Sequence, residues 1–321
     1  MASLKETKGR IASVKSTLKI TSAMKMVASA KLHKAQNAIG SMTPYERKLR
    51  EMLQLLLSSV RAGNRRALAP ENRATLGIVR GGDPSSLGGG PAEQDIFRGE
   101  MPADKADRVA IVAIASNSSL CGGFNGNVVR EVKARVNALK AEGCEVEVIS
   151  VGRKVAEPMK RAGYPSAEDW NELVAHVSYA GADTLAKMLQ KAFADGKYGR
   201  VELIYNHFVS TATQKVVCET YLPAQPVIPV GGEAREWPED LIIEPSAEEM
   251  LADLMPLVRS LRIYTVILDS AAAEHAARTI AMQTATDNGE NILQELTLEY
   301  NKGRQQKITS EILDIVGGSM Q

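Results

Sequence analysis

The feature that most constrains the fold is a hydrophobic stripe at each end of the chain that repeats in alternating steps of three and four residues. From the start it runs Ile11, Val14, Leu18, Thr21, Lys25, Ala28, Leu32, Ala35, Ile39 and Met42 without a slip. That spacing is a heptad seam, with one polar defect at Lys25. Pro44 interrupts it and is expected to kink the helix, because proline removes an N–H and clashes with the preceding turn. Tyr45, Leu49, Met52 and Leu56 then resume the pattern. A helix over residues 4 to 61 would be on the order of 85 Å long at 1.5 Å per residue.

The far end repeats the pattern. Ser246 followed by Glu249 is a capping-box pair that predicts a helix start. Behind it come Val258, Leu261, Thr265, Leu268, Ala272, His275, Thr279, Met282, Thr286, Gly289, Leu293, Leu296, Tyr300 and Gly303. The phase is not unique, because Ile263, Ile267 and Ile280 lie off this stripe. Gly317-Gly318 predicts the stop. This helix would approach ~105 Å. Many seam positions are Ala, Thr or Gly, so the two helices can approach closely as a thin rod. Gly289 and Gly303 stand where glycine costs a helix about 1 kcal/mol relative to alanine, which points to close approach of a neighbour. Apolar residues also occupy the opposite face: Ile20, Met24 and Val27 near the start, Ile308, Ile312 and Ile315 near the end. A two-stranded coil buries one stripe per helix, so the second stripe requires another partner.

Between the helices the pattern changes. Residues 63–107 read as a loop-like insertion with room for a short hairpin, marked by Gly81-Gly82, Asp83-Pro84, Gly88-Gly89-Gly90-Pro91 and Met101-Pro102. From 108 the runs predict strands at 109–115, 145–151, 201–209 and 215–221, and helices at 127–141, 154–161 and 182–193. Strand–helix alternation of this kind gives a small α/β sheet with helices on its faces. The expected fold class is therefore α plus α/β. The N- and C-terminal helices form a long antiparallel coiled coil, with a small Rossmann-like α/β domain inserted at one end. The divisions are a coiled-coil helix at 1–62, the insertion at 63–107, an α/β foot at 108–245 and the second coiled-coil helix at 246–321.

Composition narrows the function. Net charge is +1 and aromatic content 4%, which suits helices packed through small side chains and implies neither nucleic acid nor membrane as a global partner. The average conceals an asymmetry, since residues 1–35 carry Lys5, Lys8, Arg10, Lys15, Lys19, Lys25, Lys31 and Lys34 against the single acid Glu6. A solvated face, a membrane-surface helix, a nucleic-acid arm and a transit peptide all take this composition. The heptad continues unbroken to residue 42, past where a removable peptide would end, and the extra apolar stripe favours a protein partner. Cys121, Cys144 and Cys218 are scattered without CxxC spacing, and His33, His176, His207 and His275 form no metal pattern. Reduced thiols, no metal and no cofactor are expected. No apolar run reaches the ~18–20 residues that span a bilayer.

One stretch suggests chemistry. Ser119-Leu120-Cys121-Gly122-Gly123-Phe124-Asn125-Gly126-Asn127 follows a strand and opens a helix, where backbone N–H groups favour phosphate. It is neither GxGxxG nor a P-loop, because no Lys-Ser/Thr pair follows and the glycine spacing differs. An ordinary strand-to-helix turn is the favoured reading, and no catalytic constellation is evident elsewhere.

Residues at three places, the first helix, the turn after the first strand and the last helix, carry a family resemblance. Ile20-Thr21-Ser22-Ala23-Met24-Lys25-Met26-Val27-Ala28-Ser29-Ala30-Lys31-Leu32 resembles the first-helix signature of the gamma subunits of F-type ATP synthases. Leu120-Cys121-Gly122-Gly123-Phe124-Asn125 resembles the turn after their first strand. The most specific segments are Glu274-His275-Ala276-Ala277-Arg278, Ala285-Thr286-Asp287-Asn288, and Tyr300-Asn301-Lys302-Gly303-Arg304-Gln305-Gln306-Lys307-Ile308-Thr309-Ser310-Glu311. The similarity covers both long helices and, more loosely, the middle.

The resemblance implies a single-copy central-stalk rotor without an active site of its own. Its partners would be three alpha and three beta subunits around the coiled coil, the epsilon subunit, and the membrane-embedded c-ring beneath the α/β domain. Proton flow through the ring would turn the shaft and drive the beta sites through their states. The expected location is peripheral, on the cytoplasmic face of the bacterial inner membrane. Carried over by position, Arg304, Gln305 and Thr309 match residues that contact the beta subunits. Met24, Lys25, Met26 and Val27 match the first-helix segment facing the same ring. Ile312, Ile315 and Val316 fall in the tip held by an apolar collar. This chain departs from the family in having Ser118-Ser119 where a basic residue and Gly are usual, and in the glycine-rich insertion at about 77–100. It lacks the redox cysteine pair of the chloroplast form, so no thiol switch is expected. The competing readings are a nucleotide-dependent α/β enzyme with helical arms and a self-associating coiled-coil adaptor. The enzyme needs a complete phosphate loop. The adaptor leaves the C-terminal motif without a reason.

Overall fold

Two helices dominate the molecule. A computed structural model describes residues 4–67, 107–223, 243–244 and 246–319. Helix α1 is Leu4–Ala67 and β1 is Arg108–Ile114. There follow α2 (Phe124–Ala141), β2 (Glu145–Val151), α3 (Arg153–Arg161), α4 (Asn171–Ala175) and α5 (Tyr179–Ala194). Then come β3 (Arg200–Phe208), β4 (Gln214–Leu222) and α6 (Ala247–Ser319). The insertion at about 77–100 lies outside the described residues. Helix α1 contains Pro44 and carries on beyond it to Ala67, farther than the expected 61. Good helix formers, Arg61, Ala62, Arg65, Arg66 and Ala67, occupy that extension. Helix α6 passes the glycine pair expected to stop it. At its start Ser246 Oγ accepts the Glu249 N–H at 3.1 Å, so the predicted cap is made.

The two long helices run antiparallel. A Cβ on Gly303 would lie 3.2 Å from Leu4 Cδ2, and one on Gly289 would lie 2.7 Å from Leu18 Cδ2. Thr286 Oγ1 lies 3.0 Å from Thr21 Oγ1. In each pair the residue numbers add to 307, so one register holds (4 with 303, 18 with 289, 21 with 286). It persists past Pro44, where Leu53 and Leu56 cluster with Leu251 and Met255. The reason is visible in burial. Every predicted seam residue from Ile11 to Met42 is buried or half-buried, and so are Met282, Thr286, Gly289, Leu293, Leu296, Tyr300 and Gly303. Glycine at 289 and 303 admits a leucine from the other helix, which supplies the close approach its helix cost implied.

The sheet has strand order β2-β1-β3-β4, with β1 parallel to β2 and β3 and with β4 antiparallel to β3. One face is covered by α2 and α3, through Val128, Val132, Leu139, Val155 and Met159. The other is covered by α5 and by α6 itself, through Leu185, Leu189, Ile263, Val266 and Ile267. Ile263 and Ile267 were off the stripe for this reason: here α6 serves the sheet as well as α1. Under α2, Arg135 grips the buried Glu202 of β3 with two bonds of 2.7 and 2.6 Å. The short α4 was not predicted; its five residues carry no helical periodicity long enough to detect.

Candidate functional site

Two kinds of site emerge from this framework, an exposed shaft surface and a joint where the sheet grips the shaft. The surface follows from the register. Leu4 stands opposite Gly303, so among the described residues α6 continues for 16 residues beyond that pair (319 less 303), or about 24 Å at 1.5 Å per residue. Every classified residue in that overhang is exposed. It carries Ile308, Ile312, Leu313, Ile315 and Val316, and Ile315 is 72% exposed. Exposed apolar surface of this density at a helix end is a docking face. Arg304, Gln305 and Thr309 are exposed on the same segment, with the Thr309 hydroxyl donating to the Gln305 carbonyl at 2.9 Å.

The first-helix group forms a separate patch. Met24, Met26 and Val27 are exposed, with Ile20 beside them, whereas Lys25 is half-buried in the seam. In the common register Met24 lies level with Gln283, and Arg304 is 21 residues farther along (304 less 283), about 30 Å away at helical rise. The structure therefore does not bring the two predicted groups into one site. Exposed Ile292 and Leu298 lie on α6 between them. Lys5, Lys8, Arg10, Lys15, Lys19, Lys31 and Lys34 are exposed around α1, and Arg10 pairs with Glu6 at 3.0 Å.

The joint was not anticipated in the sequence. The turn after β1 is organised by Asn125, whose Oδ1 accepts from the Ser116 N–H at 3.0 Å and the Ser116 hydroxyl at 2.9 Å. Leu120 and Gly122 take left-handed φ angles of 67° and 58°. Cys121 and Phe124 are buried against Ala273 of α6. From α6, Arg278 donates to the Ser119 carbonyl at 2.5 Å and to Ser118 Oγ at 2.8 Å, while Glu274 holds the same guanidinium at 2.7 Å. Thus Ser118-Ser119, the departure from the family pattern, accepts from the shaft. Burial pushes the Cys121 thiol up, which suits a packing role and not a reactive one. The Asn125 side chain folds back onto Ser116 and Ser118, and the cap residue Gly123 offers no side chain to the first helical N–H groups.

Further contacts tie α6 to the sheet, among them the Tyr221 hydroxyl of β4, which donates to the Arg259 carbonyl at 3.1 Å. Asp269 Oδ1 accepts the Phe208 N–H at 2.9 Å, and Oδ2 meets His207 Nδ1 at 2.5 Å. Arg262 binds Glu219 of β4 with bonds of 3.0 and 2.5 Å. His275, on the seam, is half-buried. Burial holds its imidazole below the ordinary value, Glu274 opposes the shift, and Lys31 and Arg278 reinforce it. Among the described residues no group of three or more His, Cys, Asp or Glu side chains is placed to hold a metal. Among them, too, no helix is long and apolar enough to cross a membrane.

Known proteins share this architecture and sequence. A family model described as ATP synthase matches residues 3–320. A protein from Phocaeicola vulgatus named ATP synthase gamma chain is 46% identical over 321 residues, the whole of both chains. Its namesake in Bacteroides thetaiotaomicron is 46% identical over 331 residues, again the whole of both. The fold is similar to a chain of the Euglena gracilis mitochondrial ATP synthase rotor, with a TM-score of 0.56 at 17% identity, covering 95% of this chain and 98% of that one. A chain of the Tetrahymena thermophila mitochondrial ATP synthase central stalk and c-ring gives 0.52 at 20% identity, covering 83% and 99%. With a family match across nearly the whole sequence and full-length relatives near half identity, this chain belongs to the ATP synthase family, among its gamma chains.

Proposed function

We propose that the chain is the rotating shaft of a proton-translocating F-type ATP synthase, a non-catalytic subunit that couples rotation of a membrane c-ring to nucleotide chemistry elsewhere. The long helices supercoil as a coiled coil, and the sheet forms a Rossmann-like foot at its base, with the divisions near 62, 107 and 245. Three alpha and three beta subunits surround the shaft. The foot rests on the c-ring and binds the epsilon subunit. The whole is peripheral to the cytoplasmic face of the bacterial inner membrane.

The observation that carries this reading is the apolar overhang of α6 beyond Leu4, exposed in the isolated chain and placed at the end of a thin rod. A sleeve of other subunits around Ile312, Ile315 and Val316 would cover it. Arg304, Gln305 and Thr309 just below would meet beta subunits, and Met24, Lys25, Met26 and Val27 would meet the same ring one level lower. The cationic surface of α1 favours acidic loops as neighbours, through ion pairs of ~0–1 kcal/mol that can be broken and remade as the shaft turns.

Native mass measurement of the complex purified through this chain tests the reading. One copy in a large heteromeric assembly is expected. A homodimer would replace the rotor with a coiled-coil adaptor.

A further inference from the structure

The shaft and the sheet unit touch through two chemically different contacts. The apolar one is Ile263, Val266 and Ile267 of α6 against the sheet side chains Ala110, Val112, Leu203 and Tyr205. Apolar burial is non-directional: it opposes separation, but a helix that slides or rolls by a few ångströms keeps much of the buried area. Hydrogen bonds behave differently, because they weaken steeply once the donor angle falls toward 120°. Resistance to sliding therefore resides in the polar contacts.

Those contacts are spread along α6. Arg262 takes both oxygens of Glu219 on β4. Asp269 takes the Phe208 N–H and His207 at the end of β3. Arg278, steadied by Glu274, takes Ser118 and Ser119 in the turn after β1. From 262 to 278 is 16 residues, or about 24 Å along the helix. The anchors reach β4, the end of β3 and the turn after β1, and each arginine engages more than one acceptor, Arg262 adding Tyr205 Oη at 3.4 Å, which adds orientation to strength.

We infer that Arg262, Asp269 and Arg278 are positioning residues that form a three-point coupling, holding the sheet unit against rotation and axial slip on α6 when torque passes between them. This rests on the rotor reading above. The apolar patch keeps the two parts together. The three side-chain anchors, with the single Tyr221–Arg259 carbonyl bond beside them, set the torsional stiffness of the joint.

The test uses the whole complex, held by its catalytic head and stalled with Mg-ADP. A bead is attached through Lys133→Cys on the exposed face of α2, in a chain whose Cys144 and Cys218 are serine. Angular fluctuation of the bead reports joint stiffness. Asp269→Ala is expected to raise the angular variance at least about twofold, and Asp269→Asn, which still offers an acceptor to the Phe208 N–H, to raise it less. Arg278→Lys keeps charge and bulk but loses the fork, so it should raise the variance even if Asp269→Ala fails to assemble. Lys187→Gln, at an exposed ion pair on α5, should leave it unchanged. Parent-like variance in assembled Arg278→Lys complexes, or an equal rise in Lys187→Gln, overturns the coupling. Failure of the parent bead to turn with ATP would instead overturn the rotor reading.

Discussion

The hydroxyl oxygens of Thr21 and Thr286 lie 3.0 Å apart across the two long helices, although 265 positions separate them in the chain. The contact sits three positions from Gly289, where Leu18 enters. A side chain at 289 therefore has to displace a leucine and push the helices apart. Gly289→Val is expected to destabilise the isolated chain by about 1–3 kcal/mol, the usual cost of overpacking. Urea unfolding followed by circular dichroism reads it, and adding Leu18→Ala should recover part of the loss.

The tip should behave in the opposite way. Ile308, Ile312 and Ile315 are exposed, so changing all three to Gln should shift the isolated chain's stability by no more than about 0.5 kcal/mol per residue. Leu56→Ala, in the buried helix pair, should cost about 2–5 kcal/mol. In the assembled enzyme the triple Gln variant should instead weaken retention of the shaft, measured as loss of this chain from the complex on dilution.

The turn at Gly122–Gly126 should bind no nucleotide. Its glycine spacing is not that of a phosphate loop, no Lys-Ser/Thr pair follows, and its one polar side chain, Asn125, is bonded to Ser116 and Ser118. Equilibrium dialysis with ATP or NAD is expected to give no stoichiometric micromolar binding. Asn125→Ala, by contrast, should cost about 1–3 kcal/mol, since it strands the Ser116 N–H, while the Ser116 hydroxyl keeps the Ser118 carbonyl.

Acid should loosen the shaft near His275. Its folded pKa is held below the ordinary 6.5, so the unfolded chain takes up the proton first. The contribution is intact above that ordinary value and is lost as pH falls through the depressed one. Unfolding midpoints between pH 7 and pH 5 should drop more for the parent than for His275→Gln.

How much of this was legible in the sequence differs along the molecule. Where α6 touches only α1, from Met282 to Gly303, the seam is a local 3.5-residue period and reads directly. From Arg259 to Thr279 the helix is pressed on two sides, by α1 and by the sheet, so apolar residues surround it and the phase blurs. The exposed tip was readable because Ile308, Ile312 and Ile315 are apolar where the pairing partner runs out. The joint was not. Arg278 and Ser119 are 159 positions apart, Asp269 and Phe208 61, and a pair that distant leaves no periodic signal. The one local hint was the Glu274–Arg278 spacing, an i,i+4 pair that an exposed helix face would carry equally well.

The central claim is that this chain turns. The complex should be fixed by its catalytic head on a surface and a bead attached to the chain at Lys133→Cys, with Cys144 and Cys218 changed to serine. Adding ATP is expected to produce unidirectional rotation that pauses three times per turn, once for each beta subunit. Steady ATP hydrolysis with a bead that remains stationary, while the same chain is present in one copy per head, would contradict the account.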